Sequence, residues 1–455
     1  MITKEGKEKL LEWDRLHVNH PFYPFGQKLR GVLFEEGKGA KLWDTEGKEY
    51  IDFSSHLTCV NLGYGQSELV TACTEQMQKL PYSTTFWGYS HRPVIECSMK
   101  LAELTPKGLD HFVFTGGGSE AVEVAFLVAR RYWNNKGRGK YKIISLYNGY
   151  HGVSFGAISA TATARGVLHQ GITPLVPGII QVPSYNCYRC MLGKEYPQCD
   201  IQCAKYLAEV IKWESPDTVA AVIFEPCMGA GGFICPPPEY WPRVREICTE
   251  YDVLLISDEI GTGFCRTGKM FGMDHWNVIP DLMTLAKGIT SAYFPVGAVA
   301  ISDKVWDGFE GSALPGEYTY SGHPVGCAIA VKAMEIYVRD KIAEHVRKVS
   351  KHMYERLNAE FLPLPCVDNV SGLGFFGGIE IVADKATKRM FEPTLNVIGH
   401  IQSEMLEKGI YIRINSGLFT QGDRVPFAPP LVITQEEIDK GLDILYPILA
   451  SIKPD

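Results

Sequence analysis

The chain has no apolar run approaching the roughly 18 residues that cross a bilayer. It also has no internal repeat, no low-complexity tract and no long run of like charge. These absences set aside a helical membrane protein, a solenoid and a disordered tail. Basic residues are not in excess: 45 Lys and Arg against 52 Asp and Glu leave a formal net charge of −7, the wrong sign for a nucleic-acid partner. The 13 cysteines form an odd, irregular set rather than a disulfide framework, so reduced thiols are expected. The opening stretch MITKEGKEKLLEWDRL reads as a charged amphipathic helix without a signal-peptide core, and a cytoplasmic protein is expected.

What is present is enough apolar material for a large core, 45% hydrophobic against 21% charged over 455 residues. That length suits two to three units, or one large α/β core with a satellite. Between about 110 and 302, short apolar runs alternate with helical stretches: HFVF (111 to 114), KIISL (142 to 146), TVAAVIF (218 to 224), DVLLIS (252 to 257), LMTLA (282 to 286) and VGAVAIS (296 to 302). Buried strands alternating with helices predict a mainly parallel, doubly wound α/β sheet. Ligands bind such sheets at the carboxyl ends of the strands, which singles out Thr115, Tyr147, Glu225, Asp258 and Lys287 as residues expected to face one crevice. Residues 1–60, with short strand-like segments in GVLFEEGKGAKLWDTEGKEYIDF, are expected to join 326–455 in a smaller α+β domain beside a large domain at 61–325.

Asp258 closes the run LLISD and serves either as a cap for the turn that follows or as the partner of a cationic ligand atom. Lys287, directly after LMTLA, is either a surface lysine or a partly desolvated amine with a lowered pKa, ready to form an imine. The segment FTGGGSEAVEVAFLVARRYW offers a strand, Gly116, Gly117 and Gly118, then Ser119 opening a helix. That is either a plain turn or a cradle of backbone N–H groups for a phosphate. Tyr150, followed by His151 and Gly152 in YNGYHG, is a core or rim residue, or a stacking partner for a planar ring.

Taken together, TGGGSEAVE, YNGYHG, FEPCMGAGG, SDEIGTGFCRTG, DLMTLAKGI and YTYSGHPVG resemble, in order and spacing, the motifs of class III pyridoxal-phosphate aminotransferases, from roughly residue 20 onward. The resemblance implies a fold-type I architecture with a seven-stranded-type sheet, and pyridoxal 5'-phosphate as cofactor. Lys287 then corresponds to the Schiff-base lysine and the base of the 1,3-proton shift, and Asp258 to the partner of the pyridine nitrogen. Ile260 would pack under the ring and Tyr150 stack above it, with His151 beside them. Gly118 and Ser119 would hold the phosphate together with Thr319 from a neighbouring subunit, which implies a homodimer with shared active sites. Glu225 resembles a glutamate near the Asp side of the cofactor. The implied reaction is ping-pong transfer of an amino group from a small amine to an oxo acid. Aminomutases, racemases or epimerases, and a decarboxylase share the same cofactor residues, so they stand as alternatives, as does a transaminase using 2-oxoglutarate with 4-aminobutyrate-like donors.

Donor choice in this class depends on the residues after YIDF and on the aromatic pair Phe86 and Trp87. Many amine-preferring members carry Trp where this chain has Thr58, so arylamines are not expected; the form IDFSSHLTCVNLGYG is closer to members acting on taurine or β-alanine, and taurine with pyruvate is the expected pair. An acidic substrate end calls for a cation. Arg413 in GIYIRINSG is the best match to the family's mobile arginine, with Arg424 and Arg165 as rivals. The family requires no metal and none is assigned. Even so, the insert SYNCYRCMLGKEYPQCDIQCAKYL spaces Cys187, Cys190, Cys199 and Cys203 as C-x2-C-x8-C-x3-C, compatible with a tetrahedral zinc site or with four reduced surface thiols.

Overall fold

A computed structural model describes residues 4–23, 25–27, 30–413 and 421–453. Its centre is a seven-stranded sheet in the order His111–Thr115, Gly297–Ile301, Leu282–Leu285, Leu254–Asp258, Val219–Phe224, Lys142–Leu146 and Ile179–Val182. Only Gly297–Ile301 runs antiparallel to its neighbours, so the sheet is mainly parallel, as a fold-type I enzyme requires. The central strands Val219–Phe224 and Leu254–Asp258 are buried at every position, because helices cover both faces; this is why they read as unbroken apolar runs rather than alternating ones. Ile179–Val182 gave no such signal. It is an edge strand of four residues, mostly half-buried.

The helices follow from apolar periodicity and from their caps. Gly118–Asn135 lays Ala121, Val122, Val124, Ala125 and Val128 against the sheet. Pro324–Arg339 starts with proline in its first turn, where the missing N–H costs nothing, and the His323 side chain accepts from the Val325 N–H at 3.3 Å. It packs on Ser67–Lys79 and Arg92–Leu104. Gln435–Ser451 begins with a capping box in which Thr434 and Glu437 satisfy each other's backbone N–H groups.

Both ends of the chain meet in a second sheet: Phe34–Lys38, Lys41–Asp44 and Glu49–Asp52 are extended by Ile410–Tyr411, which pairs in parallel with Ile51 and Asp52. A third sheet is formed by Val367–Leu373, Phe376–Ile381 and Asp423–Phe427. One expectation is corrected. Cys227 and Cys235 are joined by a disulfide, with Cα atoms 4.4 Å apart, while the other cysteines are free. The intervening turn folds Met228 back onto Ile234 as an antiparallel bridge, which brings the flanking residues together; spacing along the chain carries no trace of that.

Candidate active site

Asp258 sits at the carboxyl end of its strand and is only 2% exposed. Its Oδ2 lies 2.7 Å from Nδ1 of the fully enclosed His151, and its Oδ1 accepts from the Ile260 N–H at 3.2 Å. A carboxylate this buried must be compensated, and the imidazole and the backbone amide do so. His151 is itself anchored by its N–H to Thr161 Oγ1 at 2.9 Å, while its Nε2 is buried without a hydrogen-bond partner.

Glu225 follows the adjacent strand. Its Oε1 accepts from the Tyr150 N–H at 2.9 Å and its Oε2 from the Gly229 N–H at 2.8 Å, so this carboxyl fixes the start of the tyrosine loop and the turn of the disulfide loop at once. Burial, assisted by the nearby Asp258 charge and opposed by His151, pushes its pKa up to about 7. The sign is that of a carboxyl raised from its ordinary 4.5: its contribution to stability is full below about 4.5 and lost as pH rises through about 7. Wild type should therefore lose stability relative to Glu225→Gln over that window, by about 1.4 kcal/mol per pH unit at the steepest. Urea unfolding at pH 5, 6, 7 and 8 measures it, and parallel curves for the two proteins would contradict the assignment.

Lys287 has a left-handed backbone (φ +48°) in the short turn Lys287–Ile289. Burial lowers the pKa of its amine. The charges nearest in effect are Cys59, Arg413, Glu225 and Asp258. Three of the five expected strand-end residues thus share one electrostatic neighbourhood. Thr115 instead donates its hydroxyl to the Gly117 carbonyl at 3.0 Å, and the Tyr147 backbone N–H bonds to Val182 at the sheet edge.

Beside them the helix Gly118–Asn135 starts with no side-chain cap. A Cβ on its first residue, Gly118, would lie 2.9 Å from Ile260 Cδ1, so any larger residue would have to displace that side chain. Gly152 (φ +122°) is constrained likewise, since a Cβ there would meet Ser119 Oγ at 2.4 Å. The Ser119 hydroxyl accepts from the Val153 N–H at 3.1 Å and keeps its own proton to donate. Helix start, Ser119, Ile260 and the YNGYHG loop are therefore in close contact, leaving uncapped N–H groups for an anion.

The three arginines separate clearly. Arg424 is buried and spoken for: its guanidinium lies 3.1 Å from Glu380 Oε2 and donates to Ser371 Oγ and the Gly378 carbonyl. Arg165 is exposed and donates to His169 at 3.2 Å. Arg413 is partly buried, lies 5.9 Å from the Phe233 ring centroid, and influences both Lys287 and Tyr150; no carboxylate of the described residues pairs with it. Most of the NSGLFTQGDR loop that separates the two rivals lies outside the described residues.

Thr58 is buried with φ +60°, Phe86 is half-buried against Trp87, Trp87 is 86% exposed, and Thr319 is exposed with its carbonyl accepting from Tyr82 at 2.8 Å. Sequence reasoning passed over Cys59, Tyr411 and Phe233. The only available signal was adjacency: Cys59 follows Thr58, and Tyr411 stands two residues before Arg413.

Residues 24–449 match the family model described as aminotransferase class-III. The chain belongs to the class III aminotransferases. Among relatives, a putrescine–pyruvate aminotransferase of Pseudomonas aeruginosa is 35% identical over 448 residues, 97% of this chain and 96% of that protein. A diaminobutyrate–2-oxoglutarate transaminase of Halomonas elongata is 38% identical over 424 residues, covering 90% and 88%. Among solved structures, an (S)-enantioselective omega-transaminase from Thermomicrobium roseum superposes with a TM-score of 0.91 at 36% identity, over 97% of this chain and 98% of that one. This class III aminotransferase is accordingly a pyridoxal-phosphate enzyme acting on small-molecule amines and oxo acids. None of its described helices is long and apolar enough to cross a membrane.

Proposed function

We propose that this aminotransferase moves the amino group of an omega-amino acid, with taurine or β-alanine favoured, to an oxo acid, with pyruvate favoured, by a ping-pong mechanism. The observation that supports it best is Arg413, a partly buried cation near Lys287 with no carboxylate partner among the described residues. An unpaired guanidinium in a crevice awaits an anion, and its planar fork suits a carboxylate or sulfonate. Arg424, already matched by Glu380, is assigned a structural role, and Arg165 only a peripheral one.

The cofactor finds matching groups. In this reading Gly118, Ser119 and the uncapped helix start hold its phosphate, with Thr319 of a second copy completing the site in a homodimer. Ile260 and Tyr150 would flank the ring, Asp258 would pair with the ring nitrogen with His151 supporting it, and Lys287 would hold the aldehyde group. Bound pyridoxal phosphate supplies the electron sink that lets the C–H bond beside the amine break. Lys287, its pKa lowered by burial, takes and returns that proton. Glu225 positions Tyr150. Thr58, Phe86 and Trp87 line the donor side, and the short Thr58 side chain leaves room for a polar tail.

A diamine donor is the second reading, favoured by the name of the Pseudomonas aeruginosa relative. Mixing the cofactor-loaded enzyme with taurine, β-alanine, putrescine, 4-aminobutyrate or an arylamine, and following the conversion to the aminated cofactor, separates them. Taurine or β-alanine should react fastest; an arylamine reacting while both are silent contradicts the proposal. Stoichiometric consumption of the oxo acid distinguishes transamination from aminomutase, racemase or decarboxylase chemistry. Arg413→Ala should raise KM for pyruvate by roughly 10- to 100-fold, as loss of a charge-assisted pair of about 1.5–3 kcal/mol implies. Arg424→Ala should instead lower stability, by about 1–3 kcal/mol, since Glu380 Oε2 and Ser371 Oγ lose their donor while Arg189 still pairs with Glu380 Oε1 at 2.6 Å.

A further inference from the structure

The insert that follows the edge strand Ile179–Val182 takes no part in the reading above. Its four cysteines, Cys187, Cys190, Cys199 and Cys203, all line one narrow cavity together with Tyr185, Leu192 and Tyr196. The cavity has a volume of about 10 Å³, room for one small particle. All four thiols are free, and charge on one raises the cost of charge on the others, so they lie within electrostatic reach of each other.

The backbone is folded to present them. Gly193 N–H bonds back to the Cys190 carbonyl at 3.0 Å, closing a turn after the first pair. Cys199 N–H bonds to Glu195 at 2.7 Å and Gln202 N–H to Cys199 at 3.1 Å, closing two more around the second pair. Asp200 and Ile201 hold left-handed conformations (φ +47° and +43°) that turn the chain into the helix Gln202–Trp213, which places Cys203 in that helix's first turn.

We propose that Cys187, Cys190, Cys199 and Cys203 bind one thiophilic divalent cation, zinc, as a structural site bracing the insert against the active-site strands. The link to those strands is Tyr185, buried two residues before Cys187, whose hydroxyl donates to the Glu225 carbonyl at 2.8 Å. Binding is balanced by release of four thiol protons to solvent, leaving four zinc–sulfur bonds of about 2.3 Å. The sulfurs must close in to reach it: among the described residues no three of them lie mutually within 4.8 Å, whereas tetrahedral ligation needs separations near about 3.8 Å. Cys187 is exposed and Cys190, Cys199 and Cys203 are half-buried, so binding would draw the side chains together by changes of rotamer.

Metal analysis tests this without relying on activity. Full-length enzyme, expressed with zinc in the medium and purified without chelator or metal-affinity tag, should carry about one zinc per chain. The double variant Cys190→Ser/Cys199→Ser should carry less than about a tenth of that, and Cys73→Ser, outside the insert, should keep it all. Cobalt substituted for zinc should give the sulfur-to-cobalt charge-transfer and tetrahedral ligand-field bands that only thiolate ligation produces. Wild type with less than about a tenth of an equivalent overturns the proposal. So does undiminished metal in the double variant, or peptide mapping that finds any of the four in a disulfide. None of these outcomes bears on the donor or on Arg413.

Discussion

Lys287→Ala should abolish transamination, lowering kcat by about 10⁴-fold or more, because one substitution removes both the proposed covalent tether and the proposed proton carrier. It should also remove the visible absorbance of the lysine-bound cofactor. The fold should survive. Alanine meets the same backbone strain at φ +48° as lysine does, and removing an amine whose charge is penalised by burial does not strand a partner, since the described residues form no ion pair with it. Circular dichroism and melting temperature should therefore match wild type within a few degrees. A small added amine such as methylamine should restore part of the rate by standing in for Nζ, a rescue that a merely misfolded variant cannot show. Retention of the visible band, or of more than about a hundredth of wild-type kcat, would remove Lys287 from its proposed role.

The architecture was legible wherever burial was complete. Strands such as Val219–Phe224 and Leu254–Asp258 are enclosed on both faces, so their sequence is forced to be continuously apolar and their ends can be read directly. The edge strand Ile179–Val182 escaped notice because only part of it is buried. The same logic governs the site. Asp258, Glu225 and Lys287 lie at the ends of buried strands and are brought together by the sheet order, while Thr115, selected by the same rule, turns its hydroxyl to the Gly117 carbonyl instead. Arg413 and Arg424 could not be separated by composition. What separates them is Glu380, opposite Arg424 on the neighbouring strand of the same sheet, which pairs with it at 3.1 Å. Partners contributed across a sheet leave no pattern in the primary sequence. The Cys227–Cys235 pair was missed because the turn that brings the two residues together depends on its backbone path and not on their spacing.

Asp258→Asn should be the second most damaging change, lowering kcat/KM by roughly 10²- to 10⁴-fold. The amide retains the size of the carboxylate and can still meet His151 Nδ1 and the Ile260 N–H, so the pocket keeps its shape while the negative charge is lost. What disappears is the group proposed to keep the ring nitrogen protonated, and with it the driving force for breaking the C–H bond; the loss should therefore fall on kcat more than on KM, with cofactor still bound. Asp258→Ala is the contrasting variant. It leaves His151 buried at both ring nitrogens without a partner, since Nε2 already has none, and should cost a further 1–3 kcal/mol or so of stability. Comparing the two separates charge from scaffold: if Asn retained activity within about threefold of wild type while Ala did not, Asp258 would be a positioning residue for His151, and the partner of the ring nitrogen would have to be sought elsewhere.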